Sequence, residues 1–122
     1  MSKVRYTTVL LLLLEMGISS CANDLRDRVD VIVPDGVLNK TEFINVLADI
    51  QMIEAGSKNR IWRNDDVEKK LGEAYYDVFL KYDISENQFR ASHHWWWNHP
   101  VAMKSVLLEV TEKITQLEIE SR

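Results

Sequence analysis

Apolar positions along this chain recur with helical spacing in four separate stretches, and each stretch opens on a start signal. Phe43, Val46, Leu47, Ile50 and Ile53 form one face of a first helix. Asn39 precedes Glu42 by three, the spacing of a capping box, and Leu38 and Phe43 hold its two staple positions. Gly56-Ser57 predicts the end of this helix, followed by a basic loop that carries Ile61 and Trp62. A second helix is expected from Asp65-Asp66-Val67-Glu68, where the acidic residues suit the positive end of the helix dipole. Its buried face is expected to be Val67, Leu71, Ala74, Tyr75, Val78 and Tyr82, with Phe79 and Leu80 widening it enough for cover from more than one side.

Asp83 breaks that pattern, and Ser85-Glu86-Asn87-Gln88 supplies another capping box with Ile84 and Phe89 as its staple pair. The third helix is short, about residues 86–97, and Asn98-His99-Pro100 closes it and opens the fourth. In the fourth, Met103, Leu107, Val110, Ile114 and Leu117 step by four and three, with Val106 beside them. This heptad stripe is too short for a coiled coil and predicts one face of a small bundle. The expected fold is therefore all-α, a bundle of about four helices, with Pro34-Asp35-Gly36 as the turn that begins it.

What precedes that turn has a different character. Lys3 and Arg5 lead into the apolar run Val9 to Leu14, and Ile18-Ser19-Ser20 then precede Cys21, the only cysteine. That order predicts a lipoprotein signal peptide over residues 1–20, with Cys21 lipidated as the mature N-terminus. The apolar run is broken by Glu15 and falls short of the roughly 20 residues a spanning helix needs. A lone cysteine in an exported chain has no internal partner, and acylation gives it a use. Several acyl chains on one residue anchor stably where a single chain is marginal. Residues 21–33 are expected to form a tether that turns apolar at Val29, Val31, Ile32 and Val33, as an extended segment or an arm laid on the domain. The helical domain is placed at 34–122.

Removing Lys3, Arg5 and Glu15 from the 15 basic and 19 acidic residues leaves 13 against 18, a balance of about −5. This disfavours nucleic acid and anionic headgroups as partners, since both select basic patches. The expected attachments are the membrane, through the N-terminal lipid, and an envelope protein partner. Oligomeric state is left open.

Candidate chemistry is sparse. No serine stands in a nucleophile elbow and no glycine loop could cradle phosphate. His93 and His94 are adjacent and diverge on a helix, and His99 lies beyond its end, so no metal site and no cofactor are expected. The densest aromatic feature is Trp95-Trp96-Trp97. Consecutive helical residues point about 100° apart, so the three cannot all enter one core. With Phe89, His93 and Trp96 inward, Trp95 or Trp97 lies at the edge or outside. Either two of the rings pack in the core and the third lies against a loop such as Ile61-Trp62, or the run forms an exposed aromatic surface, and Trp95, Trp96, Trp97, His94 and His99 are then the candidate interaction surface. Asp49, at the edge of the first apolar face, is expected to play a structural part by capping a helix start or accepting from Tyr75 or Tyr76.

Taken in order, Pro34, Phe43-Ile44-Asn45-Val46-Leu47-Ala48-Asp49-Ile50, Tyr76-Asp77-Val78-Phe79-Leu80-Lys81-Tyr82-Asp83-Ile84, Phe89-Arg90-Ala91-Ser92 and Asn98-His99-Pro100 resemble the domain of unknown function 4296, over roughly residues 32–118. That resemblance implies a small all-helical lipoprotein of the Bacteroidota outer membrane or periplasm, and it implies no reaction. Where the family often has tyrosines near the end of the third helix, this chain has the tryptophan run. The expected role is a non-catalytic interaction or accessory module on the outer membrane, facing the periplasm. The alternative is a periplasmic small-ligand-binding lipoprotein with an aromatic pocket of Tyr75, Tyr76, Tyr82, Trp62 and the tryptophans.

Overall fold

The computed structural model describes residues 30–58 and 67–122. The expected signal peptide, Cys21, most of the tether and the loop with Trp62 lie outside the described residues. Within them the fold is an all-α bundle of four helices: α1 (Lys40–Lys58), α2 (Val67–Lys81), α3 (Glu86–Trp97) and α4 (Pro100–Glu120).

The start signals operate as the sequence implies. The Glu42 backbone N–H donates to Asn39 Oδ1 at 3.0 Å and the Asn39 N–H donates to Glu42 Oε2 at 2.9 Å, so both halves of the capping box form. Its staple closes over buried apolar residues, with Leu38 3% and Phe43 0% exposed. Ser85 Oγ accepts from the Gln88 N–H at 3.0 Å at the start of α3. Upstream, the Val37 N–H returns to the Pro34 carbonyl, and Gly36 at φ 83° takes the left-handed conformation that this turn requires.

The end of α2 follows a rule the sequence hid. The Ile84 N–H reaches back to the Phe79 carbonyl and the Asp83 N–H to that of Leu80, with Asp83 at φ 52°. This is a Schellman stop, with Asp83 in the position that usually belongs to glycine. An L-residue there carries a strain of about 1 kcal/mol. Asp83→Gly is therefore expected to raise stability by about 0.5 kcal/mol after allowing for the extra chain entropy of glycine. Chemical denaturation of the two proteins side by side measures the difference.

α1 is the central helix. Ile44 and Ala48 are buried along with the expected Phe43, Val46, Leu47 and Ile50, because α2 packs on one side of it and α4 on the other. Cross-links by side chain fix the directions. Tyr75 meets Glu54 and Tyr82 meets Asp49, so α2 runs antiparallel to α1. Lys40 meets Glu109 and Lys113 meets Asn45, so α4 runs alongside α1 in the same sense. The short α3 makes this possible by crossing over the Phe43 end of α1, where Phe89, His93 and Trp96 all face the Phe43 ring. The stripe on α4 is centred on Met103, Val106 and Val110, and Leu117 sits only at its margin.

One expectation changes. α2 is covered less than expected: Phe79 touches Phe89 of α3, ring centroids 5.6 Å apart, but Val78 alone is buried, and Tyr76 and Leu80 are 63% and 61% exposed. The helix is apolar on its second side because that side borders a groove. Before Pro34, Val31 and Val33 lie against the core and Ile32, between them, points outward, as in an arm laid on the domain. Alternation of this kind is what an extended arm on an apolar surface produces.

Candidate functional site

The tryptophan run divides sharply. Trp96 is 1% exposed and lies flat on Phe43, with ring centroids 5.7 Å apart and planes 5° from parallel. Its Nε1–H donates to the Leu38 carbonyl at 3.1 Å. One turn earlier on α3, the fully buried Ser92 accepts the Leu38 N–H at 2.8 Å and donates to the Gln88 carbonyl at 2.7 Å. Ser92 and Trp96 thus satisfy both backbone groups of Leu38 as the chain passes from the arm into α1. An unpaired buried peptide group would cost more than either bond yields. Trp96 therefore leaves the candidate interaction surface and joins the core. Nothing in the sequence marks Ser92 as a core residue, because its partner is backbone that only the folded arm brings near.

Trp95 is half-buried, edge-on to Trp96 and stacked on the His99 ring at 4.0 Å. His99 Nδ1–H donates to the Trp95 carbonyl at 2.8 Å, so the pair stiffens the corner between α3 and α4. His94 is exposed and accepts from Asn98 Nδ2 at 3.1 Å. Trp97 is 53% exposed and its Nε1–H donates to His93 Nε2 at 2.8 Å. Of the expected surface, Trp97 and His94 are open to solvent, and Trp95 and His99 serve the corner.

Because indole N–H can only donate, His93 Nε2 must be unprotonated. Burial, followed by repulsion from His94, holds the His93 pKa below its ordinary value. A histidine whose folded pKa is depressed favours folding when neutral. Its contribution is complete above the ordinary value of 6.5 and is lost as pH falls from there through the folded pKa. Trp97→Phe removes the donor that favours the neutral ring, so the His93 pKa is expected to rise, as followed by its ring proton shifts in an NMR titration.

Asp49 accepts from a tyrosine, but from Tyr82 and not from Tyr75 or Tyr76. Tyr82 donates to Asp49 Oδ2 at 2.9 Å and Lys81 Nζ stands 2.7 Å from the same oxygen. Tyr76 points away because the face of α2 that meets α1 passes through Tyr75, Val78 and Tyr82. Burial and the Asp49 hydrogen bond both raise the Tyr82 pKa. Tyr75 instead donates to Glu54 Oε1 at 2.8 Å, and burial and that carboxylate push its pKa up to about 12.

A groove of about 690 Å³ lies between α2 and α3, floored by Ile50 of α1. Tyr75, Tyr76, Phe79 and Leu80 line one wall and Phe89 the other, with Arg90 ion-paired to Glu86 at 2.6 Å on the rim. A smaller cavity of about 210 Å³ adjoins it, shares Ile50, Glu54 and Phe89, and reaches His93 and Trp97. The residues expected of an aromatic pocket are divided between this groove and other places, and of the tryptophans only Trp97 reaches the smaller cavity. Tyr75 and Tyr76 belong to the groove, Tyr82 faces Asp49, Trp62 lies outside the described residues, and Phe79 and Phe89 take part unforeseen. Among the described residues no group of three metal-ligating side chains converges, and no helix is long and apolar enough to cross a membrane.

The match to a family model decides the affiliation: "Domain of unknown function (DUF4296)" covers residues 34–120 of this chain. The chain belongs to the DUF4296 family. Its matched region spans all four helices and starts at the turn before α1. No curated protein and no solved structure matches the chain.

Proposed function

We propose that this protein is a lipid-anchored envelope lipoprotein whose helical domain is a non-catalytic interaction module, held on the periplasmic face of the outer membrane through Cys21. The observation that carries the reading is the aromatic groove between α2 and α3. It combines an apolar volume of about 690 Å³ with two large side chains, Tyr76 and Leu80, left more than 60% exposed on its wall. Exposed apolar groups clustered about a concave surface mark binding sites on small domains. The ionisable groups of the groove are engaged in structural pairs, Glu86 with Arg90 and Glu54 with Tyr75, which suits recognition better than acid–base work.

The contact surface accordingly moves from the tryptophan run as a whole to the groove and the Trp97 end of the adjoining cavity. Photo-crosslinking in native membranes tests this. A crosslinker at Leu80 is expected to capture a discrete partner, and one at the equally exposed Leu108 on α4 is not.

Small-ligand binding is the second reading, favoured by the four aromatic rings of the groove, Tyr75, Tyr76, Phe79 and Phe89. It predicts a low-molecular-mass compound retained through mild purification and lost in Phe79→Ala.

A further inference from the structure

The two cavities form one trough along a single side of α3. Ser85, Glu86, Phe89 and Arg90 border the first part, and Phe89, His93 and Trp97 border the second. From Ser85 to Trp97 the trough follows α3 for about 18 Å, at 1.5 Å per residue. That length accepts about three turns of a second helix laid beside it.

The two parts meet at Ile50, Glu54 and Phe89, so a carboxylate stands where they join, among apolar and aromatic side chains with Gln51 and His93 on one side and the Glu86–Arg90 pair on the other. Among the described residues Glu54 takes one hydrogen bond, from Tyr75 at 2.8 Å, and an ionised carboxylate can accept about four. The tyrosine hydroxyl holds the carboxylate in place while leaving it acceptor capacity. Around it stand the rings of Tyr75, Tyr76, Phe79 and Phe89, and aromatic side chains attract a cation that settles over them. The guanidinium of Arg90 does not oppose this, because Glu86 neutralises it at 2.6 Å. Aromatic walls with one central carboxylate complement an apolar segment with one central positive charge.

We propose that the trough binds an amphipathic helical segment of a protein partner, with a Lys or Arg side chain on Glu54 and apolar side chains about one turn to either side. This rests on the interaction role proposed above and names the chemistry of the partner. The apolar residues fill the α2 side of the trough and the Trp97 end, and the cation fixes the register between them.

The test uses the lipidated chain purified from membranes and held in phospholipid nanodiscs. Two fluorescein-labelled synthetic helical peptides of about three turns serve as probes. They share leucines one turn either side of a central residue, which is Lys in one and Glu in the other. By fluorescence anisotropy the Lys peptide is expected to bind at least about tenfold more tightly, a difference of about 1.4 kcal/mol. Glu54→Gln brings the two peptides within about twofold of each other. Tyr75→Phe keeps the carboxylate and keeps the preference, which separates recognition from the structural hydrogen bond. Leu80→Glu abolishes binding of both peptides. Equal binding of the two peptides by the unmodified protein overturns the inference, as does a preference that survives Glu54→Gln. Displacement of the Lys peptide by oleate, equally in the unmodified protein and Glu54→Gln, makes the trough an acyl-chain site and overturns it as well. Failure here with the Leu80 crosslink intact removes the partner chemistry and leaves the interaction role. Loss of that crosslink with the peptide preference intact supports the trough's chemistry and counts against a partner in the membrane.

Discussion

Trp96→Ala is expected to leave the domain unfolded or barely folded, while Trp97→Ala one residue on leaves it folded. Truncating a fully buried tryptophan costs about 3–5 kcal/mol through lost burial and the cavity left behind. Here the indole also carries the hydrogen bond to the Leu38 carbonyl, and a buried carbonyl left unpaired adds about 1–3 kcal/mol. A domain of this size has about 5–15 kcal/mol in total, so most of its stability is at stake. Trp97 is 53% exposed, and its hydrogen bond to His93 lies in the open. Its truncation should cost no more than about 1 kcal/mol. Circular dichroism melts of the two variants give the comparison, and equal losses would contradict the division of the run into core and surface.

The second large effect concerns the anchor. Cys21→Ser is expected to shift the protein from the membrane fraction to the soluble periplasmic fraction. It should also abolish labelling by a fatty-acid probe in growing cells. The expectation rests on the basic-apolar-small order of residues 3–20, and on the stable anchoring that several acyl chains on one residue provide. The described helices supply no spanning segment to take over. Retention of membrane association and label in Cys21→Ser would remove the anchor from this account.

The helices were legible because their signals are local. Asn39 with Glu42, Ser85 with Gln88, and Pro100 each act within four residues, so the boundaries of α3 and the start of α4 can be read directly from the chain. What escaped depends on orientation in space. Tyr75, Tyr76 and Tyr82 look alike in sequence, and only the rotation of α2 about its axis puts Tyr82 on Asp49 and Tyr76 in solvent. Leu80 reads as a second buried face, yet an apolar residue bordering a groove has the same spacing as one bordering a core. Ser92 has the opposite problem. It is polar and small, with nothing in its neighbours to show that the Leu38 peptide would pass 54 residues away in sequence and require it. The tryptophan run held half the answer. Its 100° steps dictate that the rings diverge, and only the crossing of α3 over Phe43 selects Trp96 as the one that enters.

These same facts set the relation between core and groove. α3 uses Ser92 and Trp96 to grip the start of α1, and uses Phe89, His93 and Trp97 to border the trough. A binding surface built on a helix that is gripped in this way is held rigid without further support. On the proposed role, substitutions at Ser92 or Trp96 are expected to disturb binding only through folding, and those at Tyr76 or Leu80 to disturb binding alone.

The central claim, an exposed groove that holds a partner at the envelope, is tested most directly by photo-crosslinking from position 80 in intact membranes. The account predicts one discrete adduct from Leu80, its loss when Tyr76→Glu is added, and none from Leu108, which is 59% exposed against 61% for Leu80. Equal adducts from both positions, or an adduct that persists with Tyr76→Glu, would contradict it.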